Sequence, residues 1–133
     1  MIFFVYLLWK LKLLEMNIPA TISTPKVFLD PELGELEIIG RSYPSNSLEF
    51  WKPILDSISE IPSRKFSIKI GFEYLNSSSL KFLYGLLKIF KEKHQVISIE
   101  WLCEEKDRDM EEIAKFFSEE ISLPFKIIKV ASF

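Results

Sequence analysis

Two segments alternate in side-chain character from one residue to the next, and they constrain the fold more than anything else in the chain. In Lys65–Leu75, Phe66, Ile68, Ile70, Phe72 and Tyr74 share one face, while Ser67, Lys69, Gly71, Glu73 and Leu75 share the other. In residues 96–102, Ile97, Ile99 and Trp101 stand opposite Val96, Ser98, Glu100 and Leu102. Strands buried on both faces would read as continuous apolar runs. These two predict a sheet covered by helices on one face and partly wet on the other.

The remaining segments supply those helices and further strands. Residues 27–29 and 36–39 read as short strands joined through Asp30-Pro31-Glu32-Leu33-Gly34, a turn by composition and the centre of a hairpin. Residues 40–46 read as a loop. Ser47 is expected to cap a helix whose Leu48, Trp51, Leu55 and Ile58 form one stripe, with Pro53 kinking it or displacing its first turn. A second helix follows Ser77-Ser78-Ser79 and runs to about His94. It carries one stripe at Leu80, Leu83, Leu87 and Phe90 and another at Phe82, Leu86 and Ile89. A helix apolar on two sides is either deeply buried or offers one side to a partner. A third helix begins near Asp107 and places Met110, Ile113, Ala114, Phe117 and Ile121 on one stripe; Phe125–Val130 reads as a last strand. The expectation is an α/β domain with a mixed sheet of about five strands and helices mainly on one face.

Ahead of this domain lies MIFFVYLLWKLKLLE, in which 12 of 15 residues are apolar. Its nine leading apolar residues fall short of the ~20 that a spanning helix requires. Its lysines follow the apolar run instead of preceding it, and no small-residue cleavage site follows, which is not the pattern of a secretory signal. Residues 1–15 therefore divide from a domain at 16–133 in one of three ways. They precede a true start at Met16, the favoured reading; they form an extra strand or helix packed on the domain; or they anchor weakly to a membrane surface. The last is the least favoured, since two lysines attract anionic lipid little.

Charge and composition exclude several function classes. Seventeen basic residues against nineteen acidic ones leave a formal charge of −2, without the basic excess a nucleic-acid binder uses against phosphates. One Cys allows no internal disulfide and no multi-cysteine zinc site, and one His allows no imidazole pair. No Walker A loop, GxGxxG, GxSxG, CxxC or HExxH motif occurs, and four glycines cannot build a phosphate cradle. Glu104-Glu105-Lys106-Asp107-Arg108-Asp109 reads as a solvated loop leading into a helix, with acids favoured in the first turn. Cys103 reads as a buried thiol. His94 is expected at a helix end, where an imidazolium would interact favourably with the dipole.

One constellation remains, a strand running directly into Asn76-Ser77-Ser78-Ser79. Local physics favours plain helix capping. The same geometry would also present hydroxyls where free N–H groups and the positive dipole end accommodate a phosphate. In the preceding loop, Arg41 could approach such a phosphate and Tyr43 could join an exposed contact patch. Alternatively, Tyr43-Pro44 only shapes the entry to a helix.

Met16-Asn17-Ile18-Pro19-Ala20-Thr21, Thr24-Pro25, Phe28-Leu29-Asp30-Pro31, Gly40-Arg41-Ser42-Tyr43-Pro44, Tyr74-Leu75-Asn76-Ser77-Ser78-Ser79 and Leu123-Pro124-Phe125 occur together and in order. In combination they resemble the SiaC family of bacterial regulatory phosphoproteins over residues 16–128. The resemblance implies a STAS-like fold and a cytoplasmic protein that is not an enzyme and needs no cofactor. It implies a partner switch whose unphosphorylated form binds and promotes a diguanylate cyclase, favouring cyclic di-GMP signalling and biofilm growth. A dedicated Ser/Thr protein kinase and a PP2C-type phosphatase would set the phosphorylation state. The implied phosphoacceptor falls on Ser77, with Ser78 as runner-up, and the implied contact residues are Asn76, Ser78, Ser79, Arg41 and Tyr43. The common family pattern has Thr where this chain has Ser77, which keeps the hydroxyl. The alternative within the same fold is an anti-sigma-factor antagonist that controls transcription by partner switching.

Overall fold

The computed structural model describes residues 1–133. The elements in chain order are α1 (Ile2–Leu13), β1 (Met16–Ile18), β2 (Lys26–Asp30), β3 (Glu35–Ser42), α2 (Ser47–Glu60), β4 (Lys65–Leu75), α3 (Ser77–Lys93), β5 (Gln95–Glu104), α4 (Arg108–Ile121) and β6 (Phe125–Val130). One six-stranded sheet runs in the order β1-β2-β3-β4-β5-β6. β1, β2 and β3 pair antiparallel, and β3 through β6 pair parallel.

That order explains the one-sided strands. Each of α2, α3 and α4 links a strand to its immediate parallel neighbour, always progressing in the same direction across the sheet. Right-handed crossovers of this kind place all three helices on one face. Val27, Leu29, Leu36, Ile38, Phe66, Ile68, Ile70, Phe72, Ile99 and Trp101 form the buried side. Across the sheet, Glu37 pairs with Lys69, Lys69 with Glu100 and Glu100 with Lys126. This row of alternating charge belongs to the side that the three helices leave open.

The central position of α3 accounts for its two apolar stripes. It contacts both α2 and α4; Leu83, Leu86, Leu87 and Phe90 are buried, and Phe82 and Ile89 pack against the core. Burial between two helices, not an open partner face, is the outcome.

Several expectations need correction. The sheet has six strands instead of about five, because the three residues of β1 are too few to show a period. Asn46, not Ser47, caps α2: its Oδ1 accepts from Glu49 N at 3.1 Å, and Ser47 becomes the first helical residue. Pro53 sits within α2 without displacing its first turn. Residues 40–42 continue β3 instead of opening a loop. Ile97 is 61% exposed, because β5 inserts it as an extra residue: Phe66 pairs with Val96, and Ser67 pairs with Ser98.

His94 also differs from its expectation. It is buried at the end of α3, edge-on to Phe66 and close to Phe90. Its Nδ1 accepts from Arg64 N at 3.2 Å, which leaves Nε2–H to donate to Ile58 O at 3.2 Å. Burial holds its pKa below the usual imidazole value. The ring is therefore neutral and acts as a polar pin between α2, α3 and β4, not as an imidazolium on the dipole. Cys103 is buried, and burial pushes its thiol pKa up. Asp107 caps α4 through Met110 N at 3.1 Å, so the charge run does serve a helix start.

The leading segment forms α1, a 12-residue helix. Leu11 is buried, and Leu7 and Leu14 pack against the core. No helix is long and apolar enough to cross a membrane.

Candidate functional site

The site lies where β3 and β4 end side by side. Ser42 pairs with Leu75, and Asn76 N donates to Ser42 O at 2.9 Å. Asn76, still in an extended conformation, caps α3, its Oδ1 accepting from Ser79 N at 2.8 Å. Asn is among the favoured residues at this position because its short side chain reaches the third free N–H of the helix.

The three serines that follow have different surroundings. Ser79 is fully buried, and its Oγ accepts from the equally buried Ser42 Oγ at 2.7 Å. It therefore ties the helix to the strand and is out of reach of any partner surface. Ser78 is half-buried; its Oγ donates to Asn76 Oδ1 at 3.2 Å and meets Ser47 Oγ at 2.5 Å. Since Ser47 opens α2, this contact clasps the N-termini of two helices together. Ser77 is exposed, and its hydroxyl makes no hydrogen bond within the protein. Of the three, Ser77 alone offers an unoccupied hydroxyl to a second molecule.

A β-bulge shapes the neighbouring surface. Gly40 pairs with Phe72 but Arg41 pairs with Tyr74, so Glu73 is the extra residue. Beyond it the alternation reverses, as expected when one residue is added to a period-two strand. Tyr74, which the alternation assigned to the buried face, is instead 53% exposed. Leu75 takes the inward place and packs against the core. The outward-turned Tyr74 meets the Tyr43 ring edge-on at 5.5 Å.

Arg41 is committed to Glu73 by a two-pronged ion pair, Nε to Oε2 and Nη2 to Oε1, each at 2.9 Å. The hydrogen bond from Arg41 holds the Glu73 carboxyl below the usual range, and Glu73 raises the guanidinium in return. Arg41, Tyr43, Glu73 and Tyr74 together line an open surface cleft. Leu48, in the first turn of α2, is a further exposed apolar side chain. Sequence reasoning picked out Arg41 and Tyr43 but missed Glu73 and Tyr74. The unbroken alternation of Lys65–Leu75 carries no sign of the bulge that turns Tyr74 outward. No three His, Cys, Asp or Glu side chains converge to hold a metal ion.

This arrangement offers no proton-transfer pair and no nucleophile beside a base. It provides an accessible hydroxyl at a helix start, next to a tyrosine-lined surface. Residues 18–130 match the family model described as the SiaC family regulatory phosphoprotein. The chain belongs to the SiaC family. An uncharacterised protein of Pseudomonas aeruginosa (strain UCBPP-PA14) is 32% identical over 119 residues, 85% of this chain and 94% of that protein. Apo-SiaC from Pseudomonas aeruginosa superimposes with a TM-score of 0.75 at 31% identity, covering 87% of this chain and 98% of the other. A chain in the crystal structure of the diguanylate cyclase SiaD in complex with its activator SiaC gives 0.77 at 31% identity, covering 85% and 98%.

Proposed function

We propose that this protein is a switchable activator of a diguanylate cyclase, working by binding and not by catalysis. With Ser77 unmodified, the surface around the start of α3 docks on the cyclase. A protein kinase adds phosphate to Ser77 and ends the contact, and a PP2C-type phosphatase restores it. The exchange takes place in the cytoplasm. The observation that carries this reading is the exposed, unengaged hydroxyl of Ser77, three residues beyond the outward-turned Tyr74 that meets Tyr43. The hydroxyls of Ser78 and Ser79 are already occupied. Likeness to a chain in the complex of SiaD with its activator supports a cyclase, over a transcriptional regulator, as the partner.

The physical chemistry suits a switch. A phosphate on the first residue of α3 sits at the positive end of the helix, so the modified fold is not strained. An interface fitted around a neutral hydroxyl would have to bury that charge unpaired. Such burial costs about 3–5 kcal/mol, roughly a hundred- to several-thousand-fold in affinity.

Titration against a diguanylate cyclase tests the reading. Ser77→Ala should bind as tightly as the parent and remain bound after kinase treatment, whereas Ser77→Asp should bind at least tenfold more weakly. Equal binding by the two variants would refute the role of Ser77. Co-purification of a transcriptional regulator in place of a cyclase would refute the choice of partner.

A further inference from the structure

The side of the sheet that the helices leave open is not uniformly polar. One row beyond the charged row of Glu37, Lys69, Glu100 and Lys126, Ile39 pairs with Gly71, Gly71 with Leu102 and Leu102 with Ile128. Side chains two positions apart on a strand share a face, so this second row lies on the same open side. Ile39, Leu102 and Ile128 are half-buried there. Gly71 leaves a gap in the middle of the apolar row.

The chain fills that gap itself. Beyond β6, residues 131–133 turn back over the sheet and bring Phe133 to Gly71. A Cβ on Gly71 would lie 2.8 Å from Phe133 Cε1 and 3.1 Å from both Phe133 Cζ and Leu102 Cβ. The tip of the ring therefore stands where a side chain on residue 71 would be. Phe133 is 41% exposed, so more than half of its surface is covered, although a residue past the last strand is ordinarily loose. Glycine weakens a strand interior because it has no side chain to pack, and it marks places where another group approaches closely. An aromatic ring laid against it supplies the missing packing.

The brace sits immediately before the feature that shapes the candidate site. Two residues after Gly71, on the same open side, Glu73 is the extra residue of the bulge. The two-pronged Arg41–Glu73 pair, the outward turn of Tyr74 and its edge-on contact with Tyr43 all lie past that point. A loose β4 at Gly71 would leave the bulge free to slip back into plain alternation, which would return Tyr74 to the inward side.

We propose that Phe133 is a positioning residue for the partner surface: its ring, seated on Gly71, holds the end of β4 in the bulged register that turns Tyr74 towards Tyr43. The use of that surface rests on the activator reading, whereas the positioning is measurable in the free protein. Phe133 lies beyond the matched family region, which ends at residue 130.

The test compares the parent chain with Phe133→Ala and Phe133→Met. Nuclear Overhauser contacts between the Tyr43 and Tyr74 rings report the place of Tyr74 in the free protein, and affinity for a diguanylate cyclase reports the consequence. Phe133→Ala should keep the circular dichroism of the parent, lose the ring contact and bind about fivefold more weakly. Phe133→Met, with an unbranched and adaptable side chain that reaches Gly71, should restore both. A Phe133→Ala chain that loses stability but keeps the ring contact would overturn the proposal, because the ring would then only pack. So would a lost ring contact with undiminished cyclase affinity, or a methionine variant no better than alanine. A parent chain that binds no cyclase would refute the activator reading alone, and the ring contact in Phe133→Ala would still decide the positioning role.

Discussion

Replacing Ser42 with Ala removes the only hydrogen-bond partner of the Ser79 hydroxyl, and both groups are fully buried. A buried hydroxyl stranded in this way costs about 1–3 kcal/mol. For a domain of this size, a loss near 2 kcal/mol lowers Tm by roughly 6–10 °C. Ser79→Ala strands Ser42 in the same manner, but Ala favours the helix by about 0.5 kcal/mol, so its net loss should be smaller. Substituting both serines removes donor and acceptor together and strands neither, a change that can be nearly neutral. The double variant should therefore be more stable than the sum of the single losses predicts, by about 1–2 kcal/mol. Urea unfolding at one fixed protein concentration measures this. Tryptophan emission is a suitable signal, because Trp51 and Trp101 are buried whereas Trp9 is already exposed. Losses that add to within about 0.5 kcal/mol would refute the reasoning. They would mean that the pair does not hold the start of α3 against β3.

The remaining predictions concern pH and glycine. Because His94 is neutral in the fold with its pKa lowered, the unfolded chain takes up the proton first. Stability should be level above the ordinary imidazole value of about 6.5 and fall as pH drops from there towards the lower native value. Urea midpoints between about pH 5 and 8 should show this fall, and His94→Gln should remove it while lowering stability throughout. Gly34 has φ +72, and a Cβ there would lie 2.1 Å from Lys65 O. Gly34→Ala should therefore cost about 1–3 kcal/mol or more. At Gly85, inside α3, a Cβ would meet only Leu55 Cδ2 at 3.8 Å. Gly85→Ala should accordingly gain about 0.5–1 kcal/mol, and thermal unfolding of the two variants checks both signs.

Much of the site could be read in the residues before any coordinates. The Asn-Ser-Ser-Ser run after an alternating strand indicated a capped helix start, and Arg41 and Tyr43 were singled out from the preceding segment. Which serine is accessible could not be read, since all three share one side chain. Their difference comes from neighbours distant in the chain. Ser42 engages Ser79, Ser47 engages Ser78, and no side chain comes down on Ser77. Tyr74 and Glu73 escaped notice because a bulge adds a residue to the pairing without altering the sequence pattern. Ile97 was misassigned to the buried face for the same reason. His94 was read as a charged group because its place at a helix end was visible, while the carbonyl of Ile58 and the amide of Arg64 that hold it neutral were not.

Periodicity in the chain decided the layering: alternation on one face of the strands and helical stripes between them require a sheet covered on one side. Such patterns are local, and burial of an apolar face is the strongest demand a short segment can make. Tertiary structure alone decided the features with functional weight. These are the bulge that turns Tyr74 towards Tyr43, the clasp of Ser47 on Ser78, and the central place of α3 that buries both its stripes. It also decided how the first fifteen residues lie against the domain. Folded as α1, they bury Leu11, pack Leu7 and Leu14 on the core and leave residues 1–6, Trp9 and Leu13 in water. Which side of a uniformly apolar helix is covered depends on what packs against it, and no local pattern carries that information.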